Sequence, residues 1–328
     1  MDAAVTLSLT GPFARQGRDA AAGLALWADQ AGVGLTVVDD GGSRAAAVRA
    51  YAGWLDAGVD LLLGPYGSGL VRAVAPPVCA AGRLLWNHGG AADDLARPGL
   101  VSLPAPASTY LHGAVDEAVA RRAERLLVVS GSGPFARTVA AGAVARAAAR
   151  GLDAGVVAGD ALAAEDAAGA AVLVAGRFEE DVALVRRLAA GTHAAVLLAA
   201  VAAGLPAFAA LGGAAEGVLG PVQWWPASHP PQVGPSGTGF AAQFRRRAGR
   251  EPSYVAAQAA AAGYLAQAAG RPGPPPDAVR RWRTSTLLGA FALDGAWRQV
   301  GHRVTTVRWR DGRMVPIGPG SAHTVSLD

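Results

Sequence analysis

Short apolar runs alternate with longer, alanine-rich segments of mixed polarity along the first part of the chain. Four of the apolar runs are predicted to be strands, at residues 5–9, 34–38, 60–63 and 83–86. The segments between them are predicted to be helices, at residues 19–30, 44–57 and 70–81. Strands that are apolar throughout are typical of a parallel sheet covered by helices on both faces.

The same alternation resumes after Ser108. The predicted strands of this second series lie at residues 126–129, 154–157, 171–175, 194–198 and 217–219. The first predicted helix of this series begins after Ser108 and ends near residue 122. Two more are predicted at residues 135–150 and 180–189. Two such series predict an α/β protein made of two doubly wound parallel-sheet lobes joined by a hinge.

A proline-rich stretch at residues 225–235 breaks the alternation and is predicted to cross between the lobes. Two further helices are predicted at residues 239–248 and 254–269. The two strands of a hairpin are predicted at residues 303–308 and 313–316. We therefore predict an N-terminal lobe of residues 1–105 plus 222–295. The predicted C-terminal lobe comprises residues 106–221 plus 296–328.

Charge and side-chain chemistry exclude several classes of partner. The 328 residues carry a formal net charge of +4, without the basic stripe and interleaved aromatics that nucleic-acid binding needs. The single Cys79 excludes an intramolecular disulfide and is predicted to be a buried, inert thiol. The six histidines lack the spacing of metal ligands, so we predict no metal, no cofactor and no nucleic-acid partner.

The start of the chain bears on its location. Met1-Asp2-Ala3 leads directly into a strand pattern, without the basic start and apolar segment of a secretory leader. Two expectations stay open, a leader that has been removed or a cytoplasmic protein. We find no apolar run of the length that a membrane span needs.

The turns that follow the predicted strands carry the candidate chemistry. In open α/β sheets, ligands bind beyond the carboxyl ends of the strands. The turns at residues 10–17, 64–69 and 87–91 combine glycines with polar groups. The Ser68 hydroxyl and the free amides of a helix start are suited to a carboxylate or another electron-rich group.

In order and spacing, these motifs resemble those of the type I periplasmic binding proteins, specifically the group of ABC-transporter receptors that binds leucine, isoleucine and valine. The matching motifs are LTGP (9–12), VVDD (37–40), LGPYGS (63–68), WNHGGA (86–91) and EPSY (251–254). The resemblance implies an extracytoplasmic, monomeric receptor, periplasmic or membrane-associated outside the cell. It would close by hinge bending on one small molecule between its lobes and deliver it to an ABC permease, without catalysis.

The resemblance also assigns roles to individual positions. Ser68 would hold the ligand carboxylate, and Gly89 would offer a backbone carbonyl. Ala91 occupies the place of a threonine, so the family's second hydroxyl is lost. The remaining candidate ligand-binding residues, from the same turns and from the walls of the second lobe, are Gln16, Tyr66, Gly67, Asn87, His88, Phe135, Arg177 and Phe178.

One departure from the family's pattern affects the choice of ligand. Amino-acid receptors place an acid in the second lobe to pair with the ligand ammonium, but the equivalent turn here reads LAAVA (198–202). An enclosed ammonium without a countercharge would be costly. Glu179, Glu180 or Asp94 would have to substitute, and the ligand is predicted to be amino acid-like, an amide or an aromatic carboxylate.

Two alternatives are weighed against the transport receptor. The first is a cytoplasmic sensor of amides on the same fold. The second is an NAD(P)-dependent oxidoreductase, because residues 131–136 satisfy the G-x-G-x-x-A pattern. Pro134 removes an amide that the pyrophosphate would use, and the acidic position at Gly159-Asp160 comes late, so the enzyme is the weaker alternative. No G-x-S-x-G elbow of a hydrolase is present in the sequence.

Overall fold

A computed structural model describes residues 1–158, 162, 167–191, 195–270 and 275–317. The chain divides into two compact units. Unit 1 comprises Met1–Pro106 and Gln223–Arg303, and unit 2 comprises Ala107–Val222 and Val304–Asp328.

The order of segments in the two units follows the predicted lobes, with the first two boundaries displaced by one residue and the third by more. Residues 296–303 were predicted to begin the C-terminal lobe, whereas the structure keeps them in unit 1. The Val300 amide donates to the Ala292 carbonyl at 2.9 Å, and the Gln299 side chain donates to the Leu103 carbonyl at 3.3 Å. These contacts hold the segment against unit 1. The proline-rich stretch 225–235 also lies within unit 1, after the chain has left unit 2 at Val222.

Unit 1 is built on a five-stranded parallel sheet with strand order β2-β1-β3-β4-β5. Its strands are β1 (Asp2–Leu7), β2 (Gly34–Asp39), β3 (Leu61–Leu63), β4 (Leu85–Asn87) and β5 (Leu100–Ser102). The helices after the first three strands are α1 (Ala14–Ala31), α2 (Arg44–Asp56) and α3 (Ser68–Ala80). Helix α1 begins five residues before the predicted start at 19, so Gln16 lies in a helix rather than in the first loop.

Unit 2 repeats the arrangement with four parallel pairings among five strands. The strands are β6 (Arg125–Ser130), β7 (Ala154–Val157), β8 (Ala170–Ala175), β9 (Leu197–Ala200) and β10 (Leu219–Val222). The helices are α4 (His112–Ala120), α5 (Pro134–Ala149) and α6 (Phe178–Ala189). The strand predicted at 217–219 starts later because Gly217 adopts φ +77° in a turn. Part of the strand predicted at 194–198 lies outside the described residues.

The chain then returns to unit 1 and finally to unit 2. Unit 1 gains α7 (Gly237–Ala248), α8 (Tyr254–Ala268), α9 (Pro276–Arg281), β11 (Arg283–Thr286) and β12 (Gly289–Ala292). Strands β13 (Thr305–Arg310) and β14 (Arg313–Ile317) form the predicted hairpin. Because β13 pairs antiparallel with β10, the seven-stranded sheet of unit 2 is mixed, with the order β14-β13-β10-β9-β8-β6-β7. Within the described ranges, every helix is too short or too polar to span a lipid bilayer.

Helices α1 and α8 pack closely because both have glycine at the contact. A Cβ atom on Gly23 would lie 2.1 Å from the Ala256 carbonyl oxygen, and one on Gly263 would lie 2.3 Å from the ring of Trp27. Trp27 is fully buried at this contact. Since backbone cannot yield as the end of a flexible side chain does, these helices stay together only while both positions lack side chains.

This packing gives a matched pair of substitutions. We expect Gly23→Ala to lower the free energy of unfolding by about 1–3 kcal/mol, because the added methyl group overpacks the helix contact. Gly53→Ala should raise it by about 0.5–1 kcal/mol, since Gly53 lies in α2 with open space around it and alanine is the better helix former. Urea unfolding of both variants measures the difference. Equal effects would contradict the close approach of α1 to α8.

Candidate ligand-binding site

Ser68 is the first residue of α3, directly beyond the carboxyl end of β3. Its Oγ atom accepts hydrogen bonds from the amides of Ala91 at 3.2 Å and Ala92 at 3.0 Å. Both oxygen lone pairs are therefore engaged, and the hydroxyl hydrogen is left to donate. The amides of the first turn of a helix also lack intrahelical acceptors. Half-buried Ser68 thus presents donors only, which suits a carboxylate.

Asn87 organises the neighbouring turn after β4. Its Oδ1 atom accepts from the amides of Gly89 at 3.1 Å and Gly90 at 2.7 Å, and its Nδ2 atom donates to the Gly90 carbonyl at 2.7 Å. The Gly89 carbonyl accepts from the amide of Gly67 at 3.1 Å, which ties the two turns together. One lone pair of that carbonyl remains for a ligand.

The structure places two of the predicted site residues differently. Asn87 and His88 are completely buried, and as ligand contacts both remain predictions. Burial lowers the pKa of His88 to about 4, which keeps its imidazole neutral at physiological pH. A sequence motif cannot show this burial, because it depends on how the whole turn packs in the folded chain.

An aromatic pair that includes an unpredicted residue lies beside Ser68. Phe13 and Tyr66 meet edge to face, with ring centroids 6.2 Å apart and planes inclined by 60°. Gly67 has φ +105°, and a Cβ there would come within 3.8 Å of the Phe13 ring. The resemblance assigned the first-loop position to Gln16, which instead lies half-buried in the first turn of α1. The missed signal was a large apolar residue at the helix start, where a polar cap is usual.

Hydrogen bonds hold the loop that carries Phe13. Asp39 accepts from the amides of Leu9 at 2.8 Å and Gly41 at 2.9 Å, and from the Thr10 hydroxyl at 2.8 Å. These hydrogen bonds, that of Gly41 foremost, hold the pKa of Asp39 below its usual value. The LTGP turn is therefore fixed to the end of β2 by one carboxylate.

Tyr66 is held in turn by α8. The hydroxyls of Tyr66 and Tyr254 are hydrogen-bonded to each other, and burial raises the pKa of Tyr254 to about 12. Next to it, Asp19 accepts from the Ser253 hydroxyl at 2.6 Å and from Arg250 at 2.5 Å. The EPSY motif thus supports the aromatic pair through the hydrogen bond of Tyr254 to Tyr66.

A cation lies at the start of α3. A Cβ atom on Gly69 would be 3.4 Å from Nη2 of Arg44, the first residue of α2. Arg44 is exposed, and no acid within the described part of the chain pairs with it. Asp94, by contrast, is bound by Arg72 at 2.6 Å. Arg44 therefore places a positive charge beside the start of α3 that no acid among the described residues pairs with.

Unit 2 places its candidate residues beyond the neighbouring strands β6 and β8. Half-buried Phe135, in the first turn of α5, meets Tyr110 edge to face with centroids 5.4 Å apart. Half-buried Phe178, the first residue of α6, packs on the core of unit 2, and Arg177 before it is exposed. As ligand contacts these three residues remain predictions.

The acids of unit 2 fall into two environments. Asp181 is buried beneath the turn after β9, where its Oδ2 atom accepts from the Ala202 amide at 2.9 Å. Burial raises its pKa to about 8, so its carboxyl group is largely neutral near pH 7. Exposed Glu180 accepts from the Arg177 amide at 3.1 Å, and its Oε2 atom lies 2.9 Å from the Cβ position of Gly176. Among these described residues, Glu180 and its neighbour Glu179 are therefore the exposed acids at the start of α6.

A family model described as periplasmic binding protein matches residues 3–313 of the chain. The chain belongs to the periplasmic binding protein family. No curated protein sequence matches it significantly. The resemblance predicted from the motifs is confirmed, together with the fold class of two parallel-sheet lobes.

Solved structures of this family share the fold at low sequence identity. The leucine-binding protein LivK of Thermotoga maritima superposes with a TM-score of 0.80 at 17% identity, covering 97% of this chain and 98% of LivK. LivJ of Streptococcus pneumoniae in complex with isoleucine gives 0.78 at 15%, covering 97% and 99%. A benzoate complex of a solute-binding protein from R. palustris gives 0.76 at 16%, covering 97% and 95%.

Membership of this periplasmic binding protein family makes the chain a solute-binding receptor of the ABC-transporter class and not an enzyme. The geometry also opposes the dinucleotide alternative. Oε2 of Glu180 lies 2.7 Å from the Cβ position of Gly131, where a pyrophosphate would have to approach the backbone. A carboxylate there repels phosphate. The Gly159-Asp160 position lies outside the described residues, and the described residues contain no cluster of three metal-binding side chains.

Proposed function

We propose that this receptor binds a small organic carboxylate outside the cytoplasm and delivers it to an ABC permease. The observation that carries the proposal is the arrangement around Ser68. Its hydroxyl, with both lone pairs engaged, and the amides at the start of α3 offer only donors. An anion makes hydrogen bonds to all of them, whereas a neutral amide would also turn donors toward them.

The ligands of three solved relatives support the choice of a carboxylate. One holds isoleucine, another benzoate, and a third 3,4-dihydroxybenzoic acid. Each of these molecules carries a carboxyl group. We transfer only that shared chemistry to the present chain. The monomeric state, closure on the ligand and the extracytoplasmic location, which the family implies, remain predictions.

An α-amino acid is the second candidate, and the position of Glu180 favours it. Glu180 is exposed at the edge of unit 2 and could serve as the ammonium partner that the turn 198–202 lacks. Asp181 cannot take this role while it is buried and neutral, and Asp94 is already paired with Arg72. The amino-acid candidate therefore depends on Glu180 or on its exposed neighbour Glu179.

Thermal unfolding against a ligand panel tests the proposal. We expect carboxylates to raise the melting temperature in a concentration-dependent way, because a ligand that binds only the folded state stabilises it by mass action. The panel contains benzoate, leucine, isoleucine, benzamide, urea and NAD(P). A shift with amides and none with carboxylates would support the sensor alternative, and a shift with NAD(P) alone would refute the receptor. Glu180→Gln separates amino acids from other carboxylates, since only the former lose a countercharge.

A further inference from the structure

Phe13 is a large apolar side chain that remains 39% exposed. It occupies the N-cap of α1, where it makes no capping hydrogen bond. Serine, threonine, aspartate or asparagine would satisfy a free amide of the helix at this position. Neither burial nor capping explains a phenylalanine here, and an exposed aromatic side chain next to a binding turn is a surface on which a ligand can pack.

The ring of Phe13 is oriented for such a contact. Tyr66 packs against it edge to face, Asp39 fixes the loop that precedes it, and Tyr254 holds Tyr66. The Phe13 ring comes within 3.8 Å of the Cβ position of Gly67, the residue between Tyr66 and Ser68, so the aromatic pair lies beside the turn that carries the Ser68 hydroxyl. A planar ring contacting two aromatic side chains in fixed orientations gains more than an aliphatic group of the same size, because edges and faces carry opposite partial charges.

The charge beside these rings is that of Arg44. Its guanidinium group lies against Gly69, one residue after Ser68, and has no acidic partner among the residues that the structure describes. A ligand carboxylate held by Ser68 would give it a counter-ion. Because Arg44 is exposed, its contribution should decrease as salt is added.

Resting on the proposed function above, we infer that the ligand is an aryl carboxylate. The structure assigns its carboxylate to Ser68 and Arg44, and its ring to the pair formed by Phe13 and Tyr66. Phe13 and Arg44 are then the residues that determine specificity, the first for aromatic over aliphatic acids and the second for acids over amides.

Isothermal titration of the full chain with four probes tests this inference. Benzoate has both ring and charge, cyclohexanecarboxylate keeps the charge without the aromatic face, benzamide keeps the ring without the charge, and leucine adds an ammonium. We expect benzoate to bind about 3- to 10-fold more tightly than cyclohexanecarboxylate, the range for an added aromatic contact. Benzamide should bind more weakly than either acid.

Two variants with a matched control separate the roles. Phe13→Leu should move the ratio of benzoate to cyclohexanecarboxylate affinity toward one, because leucine keeps the apolar contact but not the ring, and only Tyr66 is then left to favour the aromatic acid. Arg44→Gln should weaken both acids by about 3- to 5-fold at low salt and less at high salt. Arg49→Gln removes the same charge from another exposed position of α2 and should leave both affinities unchanged.

The outcomes distinguish this inference from the proposed function. If leucine or cyclohexanecarboxylate binds the wild-type chain as tightly as benzoate, the aryl carboxylate is refuted while a carboxylate receptor stands. An unchanged ratio in Phe13→Leu would refute the role of the aromatic pair, and an equal loss in Arg44→Gln and Arg49→Gln would refute that of Arg44. Failure of all four probes to bind would overturn the proposed function and this inference together.

Discussion

Ser68→Ala is expected to weaken binding of the preferred carboxylate about 10- to 100-fold. A hydrogen bond to a charged group contributes about 1.5–3 kcal/mol, and this substitution removes the one side-chain hydroxyl aimed at the carboxylate. It also removes the acceptor of the Ala91 and Ala92 amides, so the turn after β4 loses its tie to α3. Titration calorimetry with benzoate, or with whichever acid binds best, measures the loss.

Two further variants separate the hydroxyl from general effects on the fold. Ser68→Thr keeps the hydroxyl and should retain most of the affinity. Ser236→Ala removes a serine that caps α7 by accepting from the Gly239 amide at 3.1 Å. It should cost about 1 kcal/mol of stability, as the loss of a helix cap does, with no change in affinity. An unchanged affinity in Ser68→Ala would place the carboxylate elsewhere.

The apolar strands and the helices after them could be predicted from the sequence because their periodicity is local. The turns of unit 1 were predicted as the site for a related reason, since the carboxyl ends of parallel strands share one edge of a sheet. Strands β5 and β11–β12 were missed. Each is three or four residues long, which is too short for an alternating pattern to distinguish a strand from a loop.

What failed within the site depended on side-chain direction and on contacts distant in sequence. His88 was grouped with the ligand residues, but nothing local in the sequence shows that its side chain is completely buried. Phe13 was passed over for Gln16 because the family's aromatic aligns with position 16, and nothing local shows that Tyr66, 53 positions further along the chain, packs on Phe13. The buried acid Asp181 was not predicted, because its burial depends on the turn after β9.

Stability should be greatest near pH 6–6.5 and fall on both sides. His88 and His302 are buried, and burial lowers the pKa of each to about 4. Their unfolded-state pKa is about 6.5, so between pH 4 and 6.5 the unfolded chain binds protons that the folded chain excludes. Their contribution to stability is therefore complete above pH 6.5 and is lost as the pH falls toward 4.

Asp181 changes stability with pH in the opposite direction. Burial raises its pKa to about 8, while its unfolded-state value is about 3.9. Between these values the folded chain holds a proton that the unfolded chain releases, so stability falls as the pH rises from about 4 to 8. Above about pH 6.5 Asp181 outweighs the two histidines among the described residues, and the loss should stay below about 1 kcal/mol per pH unit, because the unfolded histidines and the folded carboxyl group are each only partly protonated there. Below pH 6 the two histidines outweigh Asp181, so the free energy of unfolding should fall as the pH is lowered, with a net slope of similar size.

Urea unfolding from pH 4.5 to 8 measures this profile, and two variants resolve it. Asp181→Asn keeps an oxygen that can accept from Ala202 but does not titrate, so the alkaline decline should disappear and the acid decline should become about twice as steep. His302→Gln removes one of the two histidines, so the remaining one should balance Asp181 and flatten the acid side. An alkaline decline that persists in Asp181→Asn would show that this carboxyl group is ionised in the folded chain. It would then be a charge beneath the turn after β9, and the case against an ammonium-bearing ligand would lose one of its supports.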